Sequence, residues 1–258
     1  MRSATSCTPA SIAILMFHCS QVMAIVNMDT VHFKQHQNGV SGNVRFQASS
    51  SSGNTNSSDV SFNSQLQWNS DEHINLLVLG YEYGENDEQR NLNKSFIHGR
   101  HVWHYYENLD YEFFVQGEEN EFTRLTYRGL LGMGVRVPFA DAGNHTAYLG
   151  LGGFREVEKI APQAGSTDEE IQRHNRWNIY LMSRYKLAEQ IRFSNTLYWQ
   201  PRMDESNDRR ALFVSLLDFK TTRQFSVQFS IESSFDSQPP AGVEKQDTQV
   251  KTGIVFSF

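Results

Sequence analysis

From Gly39 to Phe258 apolar and polar residues alternate with a period of two. The runs 40–48, 60–68, 177–181, 225–232 and 250–258 keep this alternation most clearly. Successive side chains of a β-strand point to opposite faces. A chain with this pattern therefore builds sheets with one apolar and one polar face, not packed helices. No apolar run reaches the roughly 20 residues that a membrane-spanning helix requires. The composition, 39% hydrophobic and 20% charged, still suits a membrane barrel, which exposes only alternate residues to lipid. A net charge of −6 argues against a nucleic-acid partner.

The pattern gives twelve strands: 40–50, 57–68, 73–83, 94–105, 109–118, 122–138, 146–157, 174–187, 190–200, 209–218, 223–234 and 247–258. The third, fourth, seventh and tenth alternate least cleanly. Short connections (69–72, 106–108, 139–145, 188–189, 219–222) take turns with mostly longer polar ones (84–93, 158–173, 201–208, 235–246). Residues 49–58 are rich in Ser and Asn and read as a flexible loop. Short turns at one end and long loops at the other describe an all-β, single antiparallel transmembrane β-barrel of the bacterial outer membrane. Its even strand count puts both termini on the periplasmic, short-turn side. The first strand should pair with the last.

A soluble barrel or sandwich would show the same period. Three features favour the membrane. The last strand ends in an aromatic, and Phe256 and Phe258 are read as its assembly signal for the barrel assembly machinery. Trp68, Tyr81, Tyr83, Trp103, Tyr105, Tyr111, Trp177, Tyr185 and Trp199 gather near strand ends, where interfacial girdles belong. The polar faces carry many Arg residues, which suits a wet lumen. Leu125, Leu131, Ile179, Leu181, Val227, Phe229 and Ile254 are expected to face lipid.

Residues 1–24 read as a secretory signal. One Arg precedes an apolar core at 12–17, and small residues precede a cleavage point after Ala24. Residues 25–38 form a periplasmic lead-in, and 39–258 the barrel. Both cysteines, Cys7 and Cys19, fall inside the leader, so disulfides play no part in the mature fold. The expected surroundings are outer-membrane lipid and lipopolysaccharide of a Gram-negative bacterium.

Several segments carry a family resemblance: Tyr81-Glu82-Tyr83-Gly84, Asn120-Glu121-Phe122, Tyr127 to Gly134, Leu149 to Gly153, and the terminal Phe258. Together they resemble the YdiY-like salt-induced outer-membrane protein family, the domain of unknown function 481, over about residues 39–258. The resemblance implies an outer-membrane barrel with a salt-linked role. It supplies no catalytic residues.

Motifs that could carry chemistry have plainer readings. His98, His101 and His104 lie on one strand, so His101 points away from the other two. His98 and His104 are about 20 Å apart at roughly 3.3 Å per residue and cannot share a metal. Gly132, Gly134, Gly150 and Gly152 sit between strands rather than before a helix, so they are not a dinucleotide loop. They are expected to face inward and make room for side chains such as Tyr148 and Phe154. No Gly-x-Ser-x-Gly elbow occurs. The loop acids Asp87, Glu88, Asp168, Glu169 and Asp204 are available to a surface-loop enzyme or binding protein, but a solvated surface explains them. No enzyme activity, metal or cofactor is expected.

Extending the polar register places Arg45, Arg100, Arg124, Arg128, Arg136, Arg176, Arg184, Lys186, Arg192 and Lys251 on the lumen wall. Asp110, Glu112, Glu118, Glu156 and Glu232 join them. Two readings follow. The Arg and Glu residues pair across the lumen and fill it, leaving it plugged or narrowly open. Alternatively, an Arg surplus along a water-filled passage selects small anionic solutes. Twelve strands are too many for a barrel that side chains fill automatically and fewer than a wide porin has. The first reading is preferred.

Overall fold

The computed structural model describes residues 38–51, 57–86, 89–106 and 108–258. The signal segment, residues 25–37 of the lead-in, the tip of the Ser/Asn-rich loop, and Asp87 with Glu88 lie outside the described residues.

All twelve strands are present: β1 (Gly39–Ser51), β2 (Ser57–Asn69), β3 (His73–Asn86), β4 (Gln89–Tyr106), β5 (Leu109–Asn120), β6 (Leu125–Ala142), β7 (His145–Ile160), β8 (Ile171–Lys186), β9 (Ile191–Pro201), β10 (Arg209–Lys220), β11 (Phe225–Asp236) and β12 (Gln246–Ser257). Each pairs antiparallel with its sequence neighbours, and β1 pairs with β12 to close the barrel. Closure removes sheet edges and satisfies the backbone between strands. The seam runs from Asn43↔Ser257 to Phe46↔Ile254. Below it, Gly42 and Phe258 exchange backbone hydrogen bonds of 3.0 Å in both directions. The barrel's first and last strands thus meet at the end where the short turns lie.

Two loop expectations need correction. The segment 84–93 is mostly strand: Glu85 pairs with Arg90 and Asn86 with Gln89. The loop expected at 158–173 shrinks, because β7 runs to Ile160 and β8 starts at Ile171. These extensions are mostly polar. Beyond the apolar belt, backbone pairing persists without an apolar side to mark it.

The outward face is apolar over the middle of the wall. Leu131, Met133 and Ile254 are 69%, 61% and 60% exposed. Phe46, Ile97, Val115, Leu151 and Phe229 continue the band around the barrel. So continuous an apolar exterior is a liability in water and a match for hydrocarbon. Exposed Tyr81, Tyr127, Trp177 and Trp199 rim it towards the loops, and Trp68, Tyr185 and Phe258 towards the turns. Leu125 is the exception among the expected lipid-facing residues. It is 4% exposed, because a bulge between Leu125 and Tyr127 shifts the register of β6 by one and turns it inward.

The inward glycines let β6 and β7 approach closely. Gly134 pairs with Gly152. A Cβ on Gly152 would lie 2.4 Å from the Met133 carbonyl oxygen and 2.7 Å from the Gly134 Cα. Only two facing glycines permit that approach. The neighbouring positions admit rings instead. Phe114 and Phe154 close over Gly132, and Tyr180 over Gly150.

Candidate functional site

Among the described residues, the lumen gathers most of the chemistry-bearing side chains. From the loop end towards the turns it divides into an ionic lattice, a packed middle and an open vestibule.

At the loop end three guanidinium groups share five carboxylates. Arg128 on β6 donates to Glu158 at 2.5 Å and Glu118 at 2.9 Å. Arg176 on β8 donates to Glu156 at 2.6 Å and takes Asp208 in a fork at 2.9 and 3.1 Å. Arg210 on β10 donates to Glu158 at 2.6 Å, Glu156 at 3.0 Å and Asp236 at 2.8 Å. Because Arg210 reaches β7 past β8 and β9, the lattice spans the lumen. None of these eight side chains is more than 6% exposed. Charges so deeply buried persist only when paired, and the planar Arg fork lets one cation bridge several acceptors.

The middle is packed in two ways. Glu112 on β5 accepts from Arg100 at 3.3 Å and from the Tyr180 hydroxyl at 2.7 Å. Beside it Asp110 binds Arg136 at 2.5 and 2.9 Å and His104 at 2.5 Å. The Arg100 guanidinium lies over the Phe114 ring, 5.2 Å from its centroid, and that of Arg136 over Tyr148 at 4.8 Å. Next to this group, Ile74, Leu76, Val78 and Val102 from β3 and β4 form one apolar cluster with Tyr180, Met182, Tyr198, Leu212, Val214 and Leu216 from β8–β10. Those strands stand on opposite walls, so the cluster joins them across the lumen. Val214 and Thr196 are wholly shielded from solvent.

A third wall, β11–β12–β1–β2–β3, carries smaller polar groups inward. Ser61 bonds Gln47, Asn43 bonds Gln65, and Lys251 on β12 pairs with Glu82 on β3 at 2.9 Å. Arg45, Lys94 and Glu232 face this pair, and their Nε, Nζ and Oε1 atoms are buried without a protein partner. At the turn end a cavity of about 210 Å³ is lined by Arg45, Arg184, Arg192, Asp218, Lys220, Arg223 and neighbouring polar residues.

The residues singled out from sequence thus separate into four places. Arg100, Glu112 and Arg136 meet in the middle, and Arg128 and Arg176 belong to the lattice. Arg45, Glu232 and Lys251 lie on the polar wall, and Arg184 and Arg192 line the vestibule. Arg124 is misplaced by the register argument. It follows a 3-10 turn (Glu121–Thr123), has a φ of 60°, and sits outside the strand. Its side chain instead clasps the loops, donating to the Ala161 carbonyl at 2.7 Å, Asp168 at 2.5 Å and the Ala241 carbonyl at 2.9 Å. The Ser166 hydroxyl, the Ala241 N–H and Arg124 together hold the Asp168 carboxyl below its usual range. Lys186 is also off the lumen wall and pairs with Glu189 in an exposed turn. His98 and His104 point inward and His101 outward, where it stacks with His73 at the turn-end rim.

The apparent basic surplus of the lumen is itself corrected. Arg210 and Lys94 join the basic set, but Glu82, Glu158, Asp208, Asp218, Asp236 and Asp247 join the acidic one. Phe256 and Phe258 pack ring to ring at 6.2 Å on the outer surface beside the seam, and Phe225 adds a third ring at 5.2 Å from Phe256.

The family model described as a protein of unknown function, DUF481, matches residues 44–258. Among solved structures, an outer-membrane channel from Pseudomonas putida F1 is similar at a TM-score of 0.56 and 12% identity, covering 90% of this chain and 100% of that one. The NanC porin gives a TM-score of 0.50 at 8% identity, covering 84% of this chain and 98% of that one. At such identities the likeness is one of fold. No curated protein matches the chain.

Proposed function

We propose that this chain, which belongs to the DUF481 family, is a closed barrel of the outer membrane, without enzymatic activity, whose lumen is held shut by its own charges. The observation that carries this reading is the lattice of Arg128, Arg176 and Arg210 with Glu118, Glu156, Glu158, Asp208 and Asp236, stacked on an apolar cluster that joins opposite walls. A conducting porin keeps a water-filled lumen. Here the inward side chains spend their hydrogen bonds on one another. In this reading the loops face lipopolysaccharide, the turns and lead-in face the periplasm, and the paired rings at Phe256 and Phe258 are the part presented to the barrel assembly machinery. The salt-linked role would act at the exposed loop-end pair Arg90–Glu121, which screening reaches first.

The test is conductance across a planar bilayer under a KCl gradient, with insertion verified by heat-modifiable gel mobility. The closed barrel is expected to stay silent, and to produce steps only when Glu156→Gln and Glu158→Gln in the lattice are combined with Leu212→Ser and Val214→Ser in the cross-lumen cluster. Steady anion-selective steps from the unaltered protein would instead establish a pore for small anionic solutes. The basic vestibule is the observation that favours that second reading.

A further inference from the structure

We infer that the turn-end vestibule is a binding site for a small, freely diffusing multivalent oxyanion, of the phosphate class. Charge balances along most of the lumen, yet this cavity does not share the balance. Arg45 comes from β1, Arg184 from β8, Arg192 from β9, Lys220 from the end of β10 and Arg223 from the following turn. Asp218 is the single acid lining the same space. The other carboxylates that act on Arg45, Glu232 and Glu82, lie deeper on the polar wall, where Lys251 binds Glu82 at 2.9 Å.

Two further observations give the surplus a direction. The Nε of Arg45 is buried and has no protein partner. The volume, about 210 Å³, exceeds several times the roughly 30 Å³ share of one liquid water, so it admits a compact oxyanion. Guanidinium forks match phosphate oxygens two at a time, and convergence from separate strands fixes their spacing without help from the ligand. A cleft of one charge sign between low-dielectric walls also concentrates counter-ions at its mouth. The lining faces the lumen and not the apolar exterior, so the ligand arrives from water rather than from the bilayer.

The inference concerns the vestibule and does not depend on whether the lumen above it conducts. Its test is titration calorimetry of the refolded full chain with inorganic pyrophosphate, against chloride at equal ionic strength. Saturable one-to-one binding is expected. Arg45→Gln combined with Arg192→Gln should weaken it at least tenfold, and Arg90→Gln at the exposed loop end should leave it unchanged. Arg223→Gln lies in an exposed turn where folding is not at stake, and it alone should weaken binding severalfold. No saturable heat, or affinity indifferent to both vestibule variants, would overturn the site. Weakening by Arg90→Gln as well would also overturn it, because the binding would then be non-specific attraction to any exposed Arg.

Discussion

Replacing Arg210 by Met is expected to cost about 3–5 kcal/mol of folding free energy, the range for removing one partner from a buried ion pair. The size follows from what is left behind. Glu156 would keep Arg176 and Glu158 would keep Arg128, but Asp236 would lose its only guanidinium. Five buried carboxylates would then face two of the three lattice guanidinium groups. Neither methionine nor any nearby side chain supplies the missing donor. The measurement is a urea unfolding titration in lipid vesicles. Arg90→Met provides the contrast. Its pair with Glu121 lies at the solvated rim, with both side chains more than 40% exposed, and exposed pairs are worth about 0–1 kcal/mol. Equal losses from the two variants would show that the lattice is not an energetic unit.

The second large effect is steric. Gly152→Leu is expected to cost about 3 kcal/mol, at the upper end of what overpacking usually costs. At Gly132 and Gly150 a new Cβ would meet first a ring that can turn. At Gly152 it meets the Met133 carbonyl and the Gly134 Cα, both backbone, at 2.4 and 2.7 Å. The two strands would have to separate. Gly99→Ala is the control, since its nearest neighbour is a Val115 methyl at 3.4 Å, and it should be neutral. Heat-modifiable gel mobility separates the cases. Gly152→Leu should leave a large unfolded fraction under refolding conditions in which Gly99→Ala folds fully.

How far the sequence could be read depended on which solvent each face meets. The outward face meets hydrocarbon, and this forces the alternation from which all twelve strands can be counted. The tight Tyr/Trp rims could be read for the same reason. Two kinds of position escaped. Beyond the apolar belt both faces of a strand are wet, so Glu85–Asn86 and Gln89–Arg90 read as loop although they pair. In the middle, both faces can be apolar. Ile74 to Leu79 on β3 and Ala211 to Leu217 on β10 are nearly continuous apolar runs, because their inward halves meet across the lumen. That continuity is a legible sign of burial on two sides. It explains why the third and tenth strands alternated poorly.

The site was legible in its composition and not in its connections. An Arg-bearing polar face could be found by extending the register, and Arg100, Arg128, Arg136 and Arg176 do point into the barrel. Arg124 could not be placed this way, since the 3-10 turn and the following bulge break the count just before β6. Arg210, the residue that ties β10 to β7, stands beside a strand boundary on the strand with the least informative pattern. Its partner Glu158 lies where the sequence predicts loop. Which Arg meets which Glu is decided by the curvature of the barrel.

The claim that the lumen is closed can be tested at single residues. The chain's only cysteines are Cys7 and Cys19. With both replaced by Ser, a new cysteine reports access cleanly. Val214→Cys sits in the cross-lumen cluster at 0% exposure, whereas Ser257→Cys lines the vestibule and is exposed. A water-soluble maleimide applied to the folded barrel should label position 257 fully and leave position 214 unmodified until urea unfolds it. Rapid labelling of position 214 in the folded protein, at a rate comparable to position 257, would mean that water fills the middle of the barrel and that the lumen is open.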